Sequence, residues 1–189
     1  MVTIGSEYFV QKGAEGNMII NPQEVAPTEL FLYYFGAKWC PNCEKFLPTL
    51  ISFYNEANKT SKVLEIVFVS CDPLESDALS VYESMPWLTT EFNNLKVKTF
   101  MRENGITTMP SVVLIRKNGT VAKKDCRIDI IKKGVACLEE WKAAAAIVDE
   151  ISIIPKENWN RQDLTTSHHI VIREIDWKRV HASPGIYPS

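Results

Sequence analysis

The stretch Leu30–Cys43 (LFLYYFGAKWCPNC) decides the fold of this chain. Its first part, Leu30–Phe35, is a short apolar and aromatic run that ends at Gly36, and such a run is typical of a buried central strand. Its second part holds two cysteines three residues apart, and the apolar residues that follow Cys43 recur at intervals of three and four. The stretch therefore predicts a strand that leads directly into an amphipathic helix whose first turn holds two thiols.

The rest of the chain repeats this alternation of strands and helices. Further buried strands are predicted at Val63–Val69 and Ser111–Ile115, and Asn118-Gly119 after the latter predicts a hairpin turn. Besides the helix that follows Cys40, apolar spacing predicts helices from Asp72 or Leu74 to Met85 and from Gly134 to Glu150. Short apolar pieces at Tyr8–Val10 and Asn17–Ile20 predict an N-terminal hairpin. This order predicts an α/β fold, with helices on both faces of one sheet.

Length and charge limit the class of protein. A chain of 189 residues suits one domain with extensions, and we predict a domain over residues 1–154 and a C-terminal extension of unknown role over 155–189. The charge balance, 21 basic against 23 acidic residues, supplies no general attraction to nucleic acid or to anionic membranes. No apolar run is long enough to span a bilayer. The first ten residues lack the basic and apolar regions of a secretory signal, so we expect a cytoplasmic protein.

The two cysteines at the start of the predicted helix indicate thiol chemistry. Free backbone N–H groups and the positive end of the helix dipole favour a thiolate at this place. Cys40 is therefore predicted to be the exposed attacking thiol and Cys43 the resolving thiol, and the two can close a disulfide. Pro41 is tolerated early in a helix, where its missing N–H has no partner in any case. The odd total of five cysteines fits such chemistry better than a secreted disulfide scaffold.

The alternatives for this pair are half of a metal site and a pair of inert cysteines. A structural zinc ion needs a second pair of ligands, and the remaining cysteines and His168-His169 are scattered. We therefore expect no metal and no cofactor.

A second motif, Thr107-Thr108-Met109-Pro110, lies just before the third predicted strand. Proline is tolerated at a first strand position, so this motif is also compatible with an ordinary strand start. Together with the dithiol, however, it resembles the cis-proline loop of the thioredoxin fold. The resemblance implies a cis bond before Pro110, with the backbone of Met109 beside Cys40 in position to pair with an extended substrate.

The chain as a whole resembles the tryparedoxin and nucleoredoxin group of thioredoxin-fold oxidoreductases. Four segments support the resemblance: Phe31–Cys43 (FLYYFGAKWCPNC), Val67–Asp72 (VFVSCD), Tyr82–Leu88 (YESMPWL) and Gly105–Val113 (GITTMPSVV). The Met-Pro-Trp-Leu part distinguishes this group from ordinary thioredoxins and implies an inserted helix and loop before the cis-proline. The resemblance covers residues 18–141 and implies the thioredoxin fold, a central mixed sheet flanked by helices.

Three departures from the family pattern concern the site. The residues between the cysteines are Pro41-Asn42, where the family usually has two prolines or Gly-Pro. Tyr34 occupies the position of the buried aspartate of thioredoxins. Cys71-Asp72-Pro73 follows the second strand, and Asp72 is our candidate proton acceptor, the alternative being a helix N-cap. Trp39, beside Cys40, is predicted to contact the partner.

The sequence thus predicts an enzyme, a thiol–disulfide oxidoreductase that reduces protein disulfides through Cys40 and Cys43. By resemblance, its clients include peroxiredoxin-type peroxidases, and its reductant is a small dithiol, glutathione or a thioredoxin reductase. Two alternatives stay open. The dithiol could act as a redox-sensitive latch on a client, or it could hold a metal or an iron–sulfur cluster as a carrier.

Overall fold

In a computed structural model, residues 8–13, 16–21, 25 and 28–146 are described. Seven strands form one mixed sheet in the order β2-β1-β5-β4-β3-β6-β7. The strands are β1 Phe9–Gly13, β2 Gly16–Ile20, β3 Leu30–Gly36, β4 Leu64–Ser70, β5 Leu88–Thr90, β6 Ser111–Ile115 and β7 Val121–Lys123. The helices are α1 Pro41–Ala57, α2 Glu75–Tyr82, α3 Asn94–Glu103, α4 Cys126–Lys133 and α5 Leu138–Ala146. The predicted extension over residues 155–189, including its strand-like piece, lies outside the described residues.

The three strands predicted as buried form the centre of the sheet. β3 pairs in parallel with β4 over its whole length, and its other side pairs antiparallel with β6. In this register Gly36 lies opposite Ser70 and Phe35 lies opposite Ser111. The end of β3, the end of β4 and the beginning of β6 therefore meet at one edge of the sheet, where the predicted site motifs follow or precede the strands.

The two hairpins predicted from the sequence are present. β1 and β2 pair antiparallel, and β1 joins the rest of the sheet through β5. β6 and β7 also pair antiparallel, and in the turn between them Arg116 N–H donates to the Thr120 carbonyl at 2.8 Å. Gly119 has a φ of 81°, which is the left-handed conformation that a glycine in the Asn-Gly pair supplies.

The helices cover both faces of the sheet. One core cluster contains buried residues of α1, α2, α4 and α5 packed on one face. Trp141 of α5 lies at its centre, fully buried, with its indole N–H donating to Asp129 at 3.0 Å. The opposite cluster contains Val97 and Phe100 of α3 together with aromatic residues of β3. Both faces of the central strands are thus apolar, as their uninterrupted hydrophobic runs require.

Several boundaries differ from the sequence-based expectations. α2 ends at Tyr82, before Met85, and it begins at Glu75 with Leu74 as its N-cap. The helix predicted from Gly134 begins as a 3₁₀ turn, Gly134–Cys137, and becomes α-helical only at Leu138. β5 and α4 are additional elements that hydrophobic periodicity does not reveal, because β5 has three residues and α4 has eight. α3 corresponds to the inserted helix that the family resemblance implies.

Candidate functional site: a dithiol at a helix N-terminus

Cys40 is the N-cap residue of α1, with an extended backbone at φ −98° and ψ 102°. Its Sγ accepts a hydrogen bond from the Cys43 N–H at 3.2 Å, and its own N–H donates to the Ala37 carbonyl at 3.2 Å. The Cys40 sulfur thus takes the place of a capping oxygen, because it accepts a backbone N–H at the start of the helix, near the positive end of the helix dipole. Pro41 occupies the first helical turn, as expected.

Cys43 lies one turn inside α1 and is 3% exposed. Burial, followed by a hydrogen bond with Cys40, raises the pKa of Cys43 from its ordinary value of 9.0 to about 12. At neutral pH the Cys43 side chain is therefore a protonated thiol. The prediction that Cys40 is an exposed thiol is wrong, because Cys40 is only 7% exposed and both cysteines are buried. The two cysteines differ instead in their place on the helix: the Cys40 sulfur accepts a helix N–H at the N-cap, and Cys43 lies inside the helix.

The Met109–Pro110 peptide bond is cis, as the resemblance implies. Met109 is half-buried and packs against the cluster formed by Ala37, Cys40 and Cys43. The structure therefore brings the Met-Pro loop to the dithiol, although Met109 follows Cys43 by 66 residues in the sequence.

Asp72 is fully buried, and both of its carboxylate oxygens accept hydrogen bonds. The Lys38 N–H donates to Oδ1 at 2.9 Å, and the Ser70 hydroxyl donates to Oδ2 at 2.9 Å. The alternative in which Asp72 caps a helix is wrong, because α2 begins only at Glu75. The carboxylate instead holds the loop between β3 and Cys40, a contact between residues 34 positions apart that sequence spacing cannot reveal.

Tyr34 is a site residue whose surroundings only the fold defines. It is 1% exposed, and its ring end lies so close to Gly36 that a Cβ there would come within 3.0 Å of both Cζ and Oη. Burial, and then the neighbouring thiols of Cys43 and Cys40, raise the pKa of Tyr34 far above its ordinary value. The residue in the position of the thioredoxin aspartate is therefore a neutral hydroxyl group near the dithiol.

The other three cysteines have different surroundings. Cys71 is half-buried, packs against the dithiol cluster and lies 3.7 Å from the Met101 sulfur. Burial, and then the charge of Asp72, raise the pKa of Cys71 to about 12. Cys126 and Cys137 are fully buried in the main core. All five cysteines are free thiols.

The solvent side of the site is formed by exposed residues on either side of Cys40. Trp39 is 61% exposed, and Asn42 is also exposed. Within the described ranges, no three histidine, cysteine or acidic side chains are grouped so that they could hold a metal ion. Among the same residues, no helix is long and apolar enough to cross a bilayer.

Comparison with known proteins agrees with this geometry. Residues 28–121 match the family model described as thioredoxin-like. A tryparedoxin from Trypanosoma brucei brucei is 34% identical over 101 residues, which are 52% of this chain and 69% of that protein. Nucleoredoxin-like protein 1 from Mus musculus is 30% identical over 135 residues, 68% of this chain. The match spans 62% of the length of that mouse protein.

Solved structures show the same fold. Tryparedoxin from Trypanosoma brucei superposes with a TM-score of 0.63 at 25% identity, covering 72% of this chain and 92% of that one. A tryparedoxin II complexed with glutathionylspermidine superposes with a TM-score of 0.57 at 27% identity, covering 66% of this chain and 85% of that one. Fold, dithiol and family match agree: the chain belongs to the thioredoxin-like oxidoreductase family, with nucleoredoxins and tryparedoxins as its homologues.

Proposed function

We propose that this protein reduces disulfide bonds of client proteins, with Cys40 as the attacking thiol and Cys43 as the resolving thiol. The observation that supports this most strongly is the hydrogen bond from the Cys43 N–H to the Cys40 sulfur at the N-cap of α1. It stabilises negative charge on the sulfur that has to attack.

The first step is an exchange. The Cys40 thiolate attacks one sulfur of the client disulfide, a bond forms between that sulfur and Cys40 Sγ, and the client bond breaks. The second client sulfur leaves as a thiolate and takes a proton. Trp39 beside Cys40 and the backbone of Met109 are the proposed contacts for the client segment around its disulfide.

The second step releases the client. Cys43 loses its proton and attacks Cys40 Sγ, so the Cys40–Cys43 disulfide forms while the remaining client sulfur leaves and is protonated. Negative charge on Cys40 is one of the factors that raise the pKa of Cys43. The mixed disulfide removes that charge, so it favours deprotonation of Cys43 at the point where the resolving thiolate is needed.

Overall, the client gains two electrons and two protons, and the dithiol becomes a disulfide. A separate reductant then restores the dithiol, and we propose a small dithiol, glutathione or a thioredoxin reductase for this role. The tryparedoxin II structure with glutathionylspermidine supports a small thiol compound as a candidate. Peroxiredoxin-type peroxidases are the proposed clients, and the proposed location is the cytoplasm, where thiols are kept reduced.

Cysteine variants test the proposal with insulin as the client and dithiothreitol as the reductant. Cys40→Ser is expected to abolish catalysed reduction, and Cys43→Ser is expected to accumulate a mixed disulfide through Cys40. Cys71→Ser is the matched control, because Cys71 contacts the same cluster but has no role in the two steps. Turnover that persists in Cys40→Ser would refute the assignment. Stable client binding without turnover by the wild type would favour the redox-sensitive latch instead.

A further inference from the structure

We propose that the client-binding surface extends beyond Trp39, across the loop between β4 and α2 to the first turn of α3, and that it selects protein disulfides flanked by apolar residues. This inference rests on the proposed function, because it names the class of client that the dithiol reduces.

Three large apolar side chains on this part of the molecule face solvent. Trp39 is 61% exposed, Leu74 is 58% exposed and Leu95 is 76% exposed. A single exposed leucine is ordinary on a protein surface, so the argument depends on how these three are placed. Neighbouring exposed apolar residues form a patch, and a complex in which a partner buries such a patch is stabilised because apolar surface leaves water.

Two hydrogen bonds place the three residues on adjoining segments. The Lys38 N–H donates to Asp72 Oδ1 at 2.9 Å, which ties the loop of Trp39 to the loop of Leu74. The Asn94 side-chain amide donates to the Pro73 carbonyl at 3.3 Å, which ties the loop of Leu74 to the beginning of α3. Each of the three residues is thus within two positions of a residue that makes one of these bonds. We call Trp39, Leu74 and Leu95 the row; it begins at the residue before Cys40.

The charged residues beside this row are largely neutralised within the protein. Lys38 pairs with Asp77 at 2.8 Å, and Lys96 pairs with Glu91 at 2.8 Å. Glu75 lies in the first turn of α2, where the helix dipole favours a negative charge. Because both lysines have acidic partners and Glu75 lies at a helix N-terminus, the surface offers apolar contact without a strong field of either sign, and its complement is an uncharged apolar segment.

The row also adjoins the reacting thiol. A client whose disulfide reaches Cys40 comes next to Trp39, the preceding residue, and in this proposal the residues that flank the disulfide extend toward Leu74 and Leu95. A small thiol compound is too short to cover these residues as well. The extension therefore acts on protein clients and leaves the reaction with small disulfides unchanged.

Two cyclic peptides test this inference, identical except that leucines or serines flank the single disulfide. The pre-reduced protein is mixed with each oxidised peptide in a single turnover, the reaction is stopped with acid, and reduced peptide is quantified by mass spectrometry. The variants are Leu74→Asp and Leu95→Asp. Both suit their helices, because aspartate is favoured at an N-cap and in a first helical turn.

The matched control is Ile131→Asp. Ile131 is 59% exposed on α4, whose core residues pack on the face of the sheet opposite to those of α3. We expect the wild type and the control to react about tenfold faster with the leucine peptide, and each of the two variants to lower that ratio by about threefold or more.

The possible results test the extended surface and the proposed reductase function separately. A lower ratio with an unchanged rate for the serine peptide supports the extended surface. An unchanged ratio in both variants, an equal loss for both peptides, or no preference in the wild type overturns it and leaves the proposed reductase function intact. Failure of the wild type to reduce either peptide overturns the proposed function itself.

Discussion

Replacing Asp72 separates two roles for this buried carboxylate, positioning of the loop before Cys40 and acceptance of the proton from Cys43. Both oxygens of Asp72 are used, one by the Lys38 N–H and one by the Ser70 hydroxyl, each at 2.9 Å. A hydrogen bond to a charged group contributes about 1.5–3 kcal/mol, and the two bonds share one carboxylate, so their contributions are less than additive. We expect Asp72→Ala to lower the free energy of unfolding by about 2–4 kcal/mol.

Asp72→Asn is the informative variant. Its amide oxygen can still accept the Lys38 N–H, so about 1–2 kcal/mol of stability should be lost. Ser70→Ala is the matched control, because the Lys38 bond remains. It removes the hydroxyl that donates to Oδ2 and also accepts the Asp72 N–H at 3.0 Å, at a cost of about 1–3 kcal/mol. If positioning is the main role, Asp72→Asn and Ser70→Ala keep the wild-type rate of mixed-disulfide formation, whereas Asp72→Ala slows it because the loop of Cys40 loses its anchor.

The assay combines urea unfolding with rapid-quench measurement of the two exchange steps. Formation of the mixed disulfide reports on Cys40, and its decay reports on Cys43. A tenfold slower decay in Asp72→Asn, with a wild-type formation rate and a loss of stability no larger than about 2 kcal/mol, would refute positioning as the main role and would support the prediction that Asp72 accepts the proton.

Three further predictions concern the fold. The pKa of the fully buried Cys126 thiol is raised to about 12, above the ordinary value of 9.0, so its contribution to stability is complete below pH 9 and is lost as the pH rises toward 12. We expect urea unfolding to show a loss of about 1.4 kcal/mol per pH unit for such a thiol, and a shallower decline in Cys126→Ala. Gly36→Ala should cost about 1–3 kcal/mol because its Cβ would come within 3.0 Å of the Tyr34 ring, and Tyr34→Leu should relieve that cost in the double variant; additive losses would show that the contact is unimportant. Trp141→Ala should lower the free energy of unfolding by about 3–5 kcal/mol, since the indole is fully buried, and a loss below about 1 kcal/mol would contradict its central place in the core.

Much of the architecture is predictable because its signals are local. The three buried strands, both hairpins and α1 follow from apolar runs, turn residues and helical spacing within a few residues of each other. The short elements β5 and α4 do not, because three or eight residues give too little periodicity to distinguish from a loop. The end of α2 lies at a tertiary contact: the hydroxyl of Tyr82, its last residue, is 2.9 Å from the Trp87 carbonyl oxygen and 3.0 Å from that of Val10, and it donates its one proton between these two acceptors.

The site shows the same division between local and long-range information. By itself, the sequence determined that two thiols begin a helix after a buried strand, because that placement depends on consecutive residues. The tertiary structure decided what surrounds them: Asp72 hydrogen-bonded to the loop before Cys40, and Cys71 and Met109 packed against the dithiol. These contacts depend on the pairing of β3 with β4 and β6, which joins residues far apart in the chain, and side-chain chemistry alone does not specify that pairing.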